Sequence, residues 1–131
     1  MRAHAYSDPS SRRQLEEIIH PLVGQESARQ VQAALAGGSR CVVFDIPLLV
    51  ESGRWRSQVD RVLVVDCSES TQIARVVARN GLQPAEVQAI IAAQASRALR
   101  LSAADIVICN EGLPLEALRQ EVALAAKGFG L

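Results

Sequence analysis

The sequence predicts an α/β fold, a parallel sheet with helices on both faces. Three short runs carry that reading: CVVFDI at 41–46, VDRVLVVDC at 59–67 and IVIC at 106–109. Each is apolar on both faces, as strands of a covered parallel sheet must be. They alternate with stretches that have the 3.6-residue apolar period of helices, bounded by helix start and stop residues. In such sheets ligands sit beyond the carboxyl ends of the strands, and Asp45, Asp66 and Asn110 fall at those ends.

Asp8-Pro9 reads as a helix start, with Asp8 as N-cap and Pro9 at the first helical position. Leu15, Ile18 and Ile19 supply the apolar face. His20-Pro21 is expected to interrupt this helix, because residue 20 is pushed out of the helical region and Pro21 has no N–H to donate. A second helix, with Leu22, Val23, Val31, Ala34 and Leu35, then runs to Gly37-Gly38. The strand 41–46 follows, then a loop, then the strand 59–67. Ser68 caps a helix to about Arg79, which Asn80-Gly81 stops. Pro84 opens a further helical stretch that is expected to break once near residue 95. After the strand 106–109, Asn110-Glu111-Gly112 turns the chain, and Pro114 starts a last helix to about Lys127. No linker, internal repeat or low-complexity segment divides the chain, so residues 1–131 read as a single domain.

Composition narrows the function classes. Hydrophobic residues make up 49% and aromatics only 3%, so the core is built of Val, Leu, Ile and Ala. Fourteen basic residues balance 14 acidic ones, which argues against a nucleic-acid surface. Lys127 is the only lysine. The remaining basic residues are arginines, which grip carboxylates and phosphates in a bidentate fork, although a GC-rich genome produces the same bias. Cys41, Cys67 and Cys109 form no CxxC pair and are expected to be buried thiols of a reducing compartment. MRAHAYSDPSSRR lacks the apolar segment of a signal peptide, and no apolar run reaches the ~20 residues of a membrane span. A cytoplasmic, soluble chain without membrane contact is therefore expected.

Three chemistries compete for these residues. Arg75 and Arg79 lie at i and i+4 on one helix face, with Arg97 and Arg100 further along, and phosphoryl transfer needs such positive charge around the moving group. Arginine pairs at that spacing are also common on solvated faces. A receiver-like module with Asp45 or Asp66 as phosphoacceptor wants a lysine after the last strand, where this chain has Asn110. His20 as phosphoacceptor or metal ligand stands without a Cys/His cluster to support it.

HPLV at 20–23, PLLVE at 47–51, VDRVLVVD at 59–66, QIARVVAR at 72–79, AAQASR at 92–97 and AADIVICNEG at 103–112 together resemble the dephospho-CoA kinase family. SDPSSRRQLEEIIHP at 7–21 fits the helical stretch before that family's His-Pro, so the resemblance covers nearly the whole chain. It implies a P-loop kinase fold that transfers the γ-phosphoryl of ATP, with Mg2+, to the ribose 3′-hydroxyl of dephospho-CoA. A helical CoA-side region would occupy about 7–38 and a helical lid about 68–104. By position, His20, Leu48, Leu49 and Glu51 would lie on the acceptor side of the cleft. Arg75 would be the lid arginine that reaches the ATP phosphates, supported by Arg79 and Arg97, and Asn110 would approach the adenine. An acid before Pro-Leu-Leu resembles a Walker B group ordering magnesium through water, which implies that role for Asp45.

One departure is large. The resembled kinases begin with a strand, a GxxxxGK[ST] loop and a second strand leading to the catalytic base, whereas no glycine here precedes Lys and then Ser or Thr. The chain thus reads as P-loop kinase-like but missing the first two strands and the P-loop, and is expected to be inactive alone. The alternative is a non-catalytic α/β domain that keeps residual nucleotide or CoA binding, or a structural role. Loss of a central strand would leave sheet edges unpaired, so self-association, or a need for the missing segment, is expected as well.

Overall fold

The computed structural model describes residues 9–53 and 55–131. Two compact units divide the chain, Met1–Phe44 and Asp45–Leu131.

The first unit is dominated by one long helix, α1 (Pro9–Ala36). The expected interruption at His20-Pro21 does not occur: Pro21 sits inside a continuous helix. A proline removes only one N–H from the ladder, and strong helix formers on both sides (LEEII before, ESARQVQAALA after) can carry the helix across it. Beyond the proline, Arg29 donates to Glu26 at 2.8 and 2.6 Å and Gln30 Nε2 at 2.9 Å. Gly37-Gly38 ends α1 as expected. Ser39 N–H bonds the Ala34 carbonyl and Gly38 N–H that of Leu35, with Gly38 at φ 80°, the closing pattern that only glycine adopts without strain. The expected cap at Asp8 lies outside the described residues.

Residues 41–46, expected as a strand, are not one. Val43, in the middle of this run, is 87% exposed. An apolar run becomes a strand only where a neighbour supplies a ladder. Cys41, on this segment, is consequently exposed rather than buried.

The second unit begins with a four-residue helix, α2 (Leu49–Ser52), and a 3-10 turn at Trp55–Ser57. Then come β1 (Leu63–Asp66), α3 (Glu69–Asn80), α4 (Pro84–Ala92), α5 (Arg97–Ser102), β2 (Ile106–Cys109) and α6 (Leu115–Gly128). β1 and β2 form a two-stranded parallel sheet in which Val65 pairs Ile108 and Asp66 pairs Cys109. The strand expected over 59–67 is shorter because Asp105 intervenes. Its carboxylate takes the Val62 N–H at 2.7 Å, and the Val62 carbonyl accepts from Asp105 and Ile106.

Local signals set the helices of this unit. Ser68 accepts the Thr71 N–H at 3.2 Å to cap α3, and Gly81, at φ 69°, ends it by bonding the Val77 carbonyl. Pro84 starts α4, where Gln83 and Glu86 form a capping box, and the expected break near 95 separates it from α5. Val62, Val87, Ile108 and Ala125 form the buried apolar core among the described residues. At the end of α6 the helix approaches β2 so closely that a Cβ on Gly128 would lie 2.9 Å from Ile106 Cδ1.

Candidate functional site

The site is assembled at the carboxyl ends of the two strands. Asn110 N–H donates to the Asp66 carbonyl at 2.7 Å, which brings both strand ends to one rim. Asp66 is the buried polar residue there, 6% exposed. Arg97, the first residue of α5, meets its carboxylate with Nε at 3.0 Å from both oxygens and Nη2 at 2.5 Å from Oδ2. These bonds hold the Asp66 carboxyl below the usual range against the opposing effect of burial, and they raise Arg97 in turn.

The loop before α5 is held from a second side. Ala95 N–H donates to Glu51 Oε1 at 2.7 Å, which is the main cause holding the Glu51 carboxyl low. Arg100 Nη1 donates to the Ala95 carbonyl at 2.5 Å. Glu51, on α2, and Arg97 are thus linked through two residues of loop.

On the other side of the rim stands α3. Glu111, in the turn after β2, accepts from Ser68 N–H at 2.6 Å, from Ser68 Oγ at 3.2 Å and from Thr71 Oγ1. These bonds, Ser68 N–H first, hold its carboxyl below the usual carboxylate range. Arg75 Nη2 donates to the Asn110 carbonyl at 3.0 Å. Arg79, one turn on, donates to Asn80 Oδ1 at 2.8 Å. Both arginines line an open cleft of about 530 Å³ between α3 and α4, with Cys67 and Gln72 at one end and Val87 and Ile90 on the α4 side. Cys67 is half-buried and unpaired; burial pushes its thiol up, and Arg75 beside it acts the other way. Cys109, expected to be buried, is exposed in the last position of β2, at the open end of the strand.

The fold therefore gathers Arg75, Arg97 and Asn110 around the strand ends, puts Arg79 on the face of Arg75, and ties Glu51 in through Ala95. Leu48 and Leu49 bracket the start of α2; Leu48 is exposed, and Leu49 lines a separate hollow with Arg56 and Asp105. Asp45 is exposed in the segment before α2. His20 lies exposed on α1, in the first unit. The sequence singles out Asp66 as a strand-end acid and candidate phosphoacceptor but not as the partner of Arg97, and it gives Glu111 no role. The Asp66–Arg97 pairing spans 31 residues and leaves no local signal; Glu111 gives none beyond its place in a turn. The described residues include no group of three or more His, Cys, Asp or Glu placed to hold a metal ion, and no helix among them is long and apolar enough to cross a membrane.

Chemically, the rim offers guanidinium groups to an anion. Arg75 carries five N–H donors; one goes to the neutral Asn110 carbonyl, and its charge also helps hold the nearby Glu111 carboxyl low.

Comparison with known proteins gives the chain its family. The family model for dephospho-CoA kinase matches residues 1–115. A dephospho-CoA kinase of Albidiferax ferrireducens is 58% identical over 131 residues, covering 100% of this chain and 62% of that protein. One of Burkholderia pseudomallei is 54% identical over 123 residues, 94% of this chain and 59% of that protein. The chain thus spans about 60% of the length of these curated relatives. Among solved structures, a dephospho-CoA kinase from Campylobacter jejuni aligns with a TM-score of 0.64 at 23% identity, covering 95% of this chain and 60% of that one. That likeness bears on the fold, which is of the α/β, P-loop-kinase-like class expected from the sequence. With the family model matching 115 of its 131 residues, the chain belongs to the dephospho-CoA kinase family.

Proposed function

We propose that these residues form the C-terminal part of a dephospho-CoA kinase, which transfers the γ-phosphoryl of ATP to the ribose 3′-hydroxyl of dephospho-CoA. The observation that carries this reading is the 58% identity, end to end, with a dephospho-CoA kinase. The arginine-lined cleft beside the strand ends supports it. In this reaction class catalysis is mainly positioning and charge stabilisation around the transferring group. Arg75 acts on the phosphates, with Arg79 on the same face and Arg97 at the head of α5 in support. Asn110 lies toward the adenine, and His20, Leu48, Leu49 and Glu51 serve the acceptor side. Asp45, a single exposed carboxylate, would order magnesium through water, as one carboxylate beside substrate phosphates commonly does.

No glycine in residues 1–131 precedes Lys and then Ser or Thr. A polypeptide of these residues alone has no such loop to cradle the β- and γ-phosphates, and we expect it not to make coenzyme A. The test has two arms, each an assay of coenzyme A formation from ATP and dephospho-CoA. Residues 1–131 alone should give no turnover. A chimera in which they replace the matching part of the Albidiferax ferrireducens protein should be active. An inactive, folded chimera would refute the kinase reading; a fully active isolated chain would refute the dependence on further residues.

A further inference from the structure

The turn after β2 grips α3 at two levels. Glu111 receives Ser68 N–H, Ser68 Oγ and Thr71 Oγ1, and the neighbouring Asn110 carbonyl receives Arg75 Nη2. Residues 68, 71 and 75 fall along one face of a helix. The grip therefore adds two attachments to the strand end, on one face of α3, to the packing of α3 against α4. It also spans 40 and 43 residues of sequence, so it ties the head of one helix to the end of a strand that is distant in the chain.

The bond from Arg75 to Asn110 cannot hold α3 alone. It is a single exposed hydrogen bond, and a long side chain can swing about it. Glu111 supplies what that bond lacks: two carboxylate oxygens engaged with three donors on the first turn, at the helix end whose dipole favours a negative group. Ser68 already caps the helix by accepting the Thr71 N–H, so Glu111 is not needed to satisfy that donor. Its distinct effect is to fasten the cap to β2.

From this geometry we infer that Glu111 is a positioning residue for Arg75, holding α3 in the rotation that presents the Arg75 guanidinium at the strand-end rim. The inference rests on the kinase reading above. Glu111 touches neither substrate nor phosphate in this role; it acts through α3.

The experiment is a double-mutant cycle in the active chimera described above, with kcat, the KM for dephospho-CoA and the melting temperature measured for each protein. Glu111→Ala should lower kcat by about fivefold or more, as expected for coupled neighbours, with the acceptor KM nearly unchanged. Glu111→Gln, which keeps an oxygen acceptor for Ser68 N–H, should recover part of that loss and guards against a misfolded alanine variant. In the Arg75→Ala background, Glu111→Ala should lower kcat by less than about twofold, because the group it positions is gone. An equal fold-loss in both backgrounds would overturn the inference and leave Glu111 as a general stabiliser. So would Glu111→Ala and Glu111→Gln at wild-type kcat. If Arg75→Ala itself leaves kcat unchanged, the phosphate role of Arg75 fails, and the inference falls with it; that outcome is distinct from the other two.

Discussion

Replacing Asp66 with asparagine should destabilise the fold at neutral pH and should cease to matter in acid. The substitution keeps the side-chain shape but removes the charge that Arg97 contacts through three distances of 3.0, 3.0 and 2.5 Å. Hydrogen bonds to charged groups contribute roughly 1.5–3 kcal/mol each way of measuring them by mutation. Asp66 is buried, but the Arg97 side chain is 49% exposed and can recover water once its partner is neutral. The loss should therefore sit at the low end, about 1–2 kcal/mol, above the ~0–1 kcal/mol of a surface pair. Urea unfolding of the chain at pH 7 measures it as a shift of the midpoint at constant slope.

The pH dependence fixes the interpretation. The Asp66 carboxyl is depressed in the folded state, so the unfolded chain binds its proton first as pH falls. Its contribution is present in full above the ordinary aspartate range, near 4, and is lost as pH falls through the lower folded value. Wild type and Asp66→Asn should differ at pH 7 and converge in acid. A midpoint unchanged at pH 7 would refute the ion-pair account. A difference that persisted unaltered below pH 3 would assign the loss to packing instead.

Other outcomes can be checked as directly. Arg75→Ala in the chimera should lower kcat far more than it changes the KM for dephospho-CoA, and Arg75→Lys should restore only part, since an ammonium lacks the fork; steady-state kinetics decide. Ile108→Ala, at a side chain 2% exposed, should lower unfolding stability by roughly 2–5 kcal/mol, the range for emptied core sites, read by urea titration. β1 and β2 pair only with each other among the described residues, which leaves each with an open edge. Exposed strand edges invite pairing with another chain, so residues 1–131 should self-associate, and light scattering that finds a monomer across a dilution series would contradict this.

What was legible in the sequence was what neighbouring residues decide. Ser68, Asn80-Gly81, Pro84 and Pro114 marked helix ends because capping oxygens, left-handed glycines and prolines act within a few residues. Arg75 and Arg79 could be placed on one face from spacing alone. The strand at 41–46 was not decided locally: its apolar run is as convincing as that of 106–109, but only 106–109 finds a ladder. Pro21 failed as a breaker for the opposite reason, since the helix formers around it outweigh one missing N–H. The Asp66–Arg97 and Ser68–Glu111 contacts join residues 31 and 43 apart, and their existence depends on β1–β2 register and on where the helices return. No local spacing encodes that.

The three candidate arginines are not equivalent, and their partners say which is most available to an anion. Arg97 has its fork on a buried carboxylate, so a phosphate could take it only by displacing Asp66 or by sharing its remaining N–H groups. Arg79 donates to the amide oxygen of its own neighbour, a bond that forms wherever α3 goes. Arg75 donates to a backbone carbonyl at the end of β2, which orients the guanidinium without neutralising it. An oriented guanidinium whose bond is not to a carboxylate is what a phosphate-stabilising group needs. On that ground we propose Arg75, rather than Arg97, as the arginine that acts on the moving phosphoryl; Arg97 is engaged by Asp66, and the loop before α5 by Glu51.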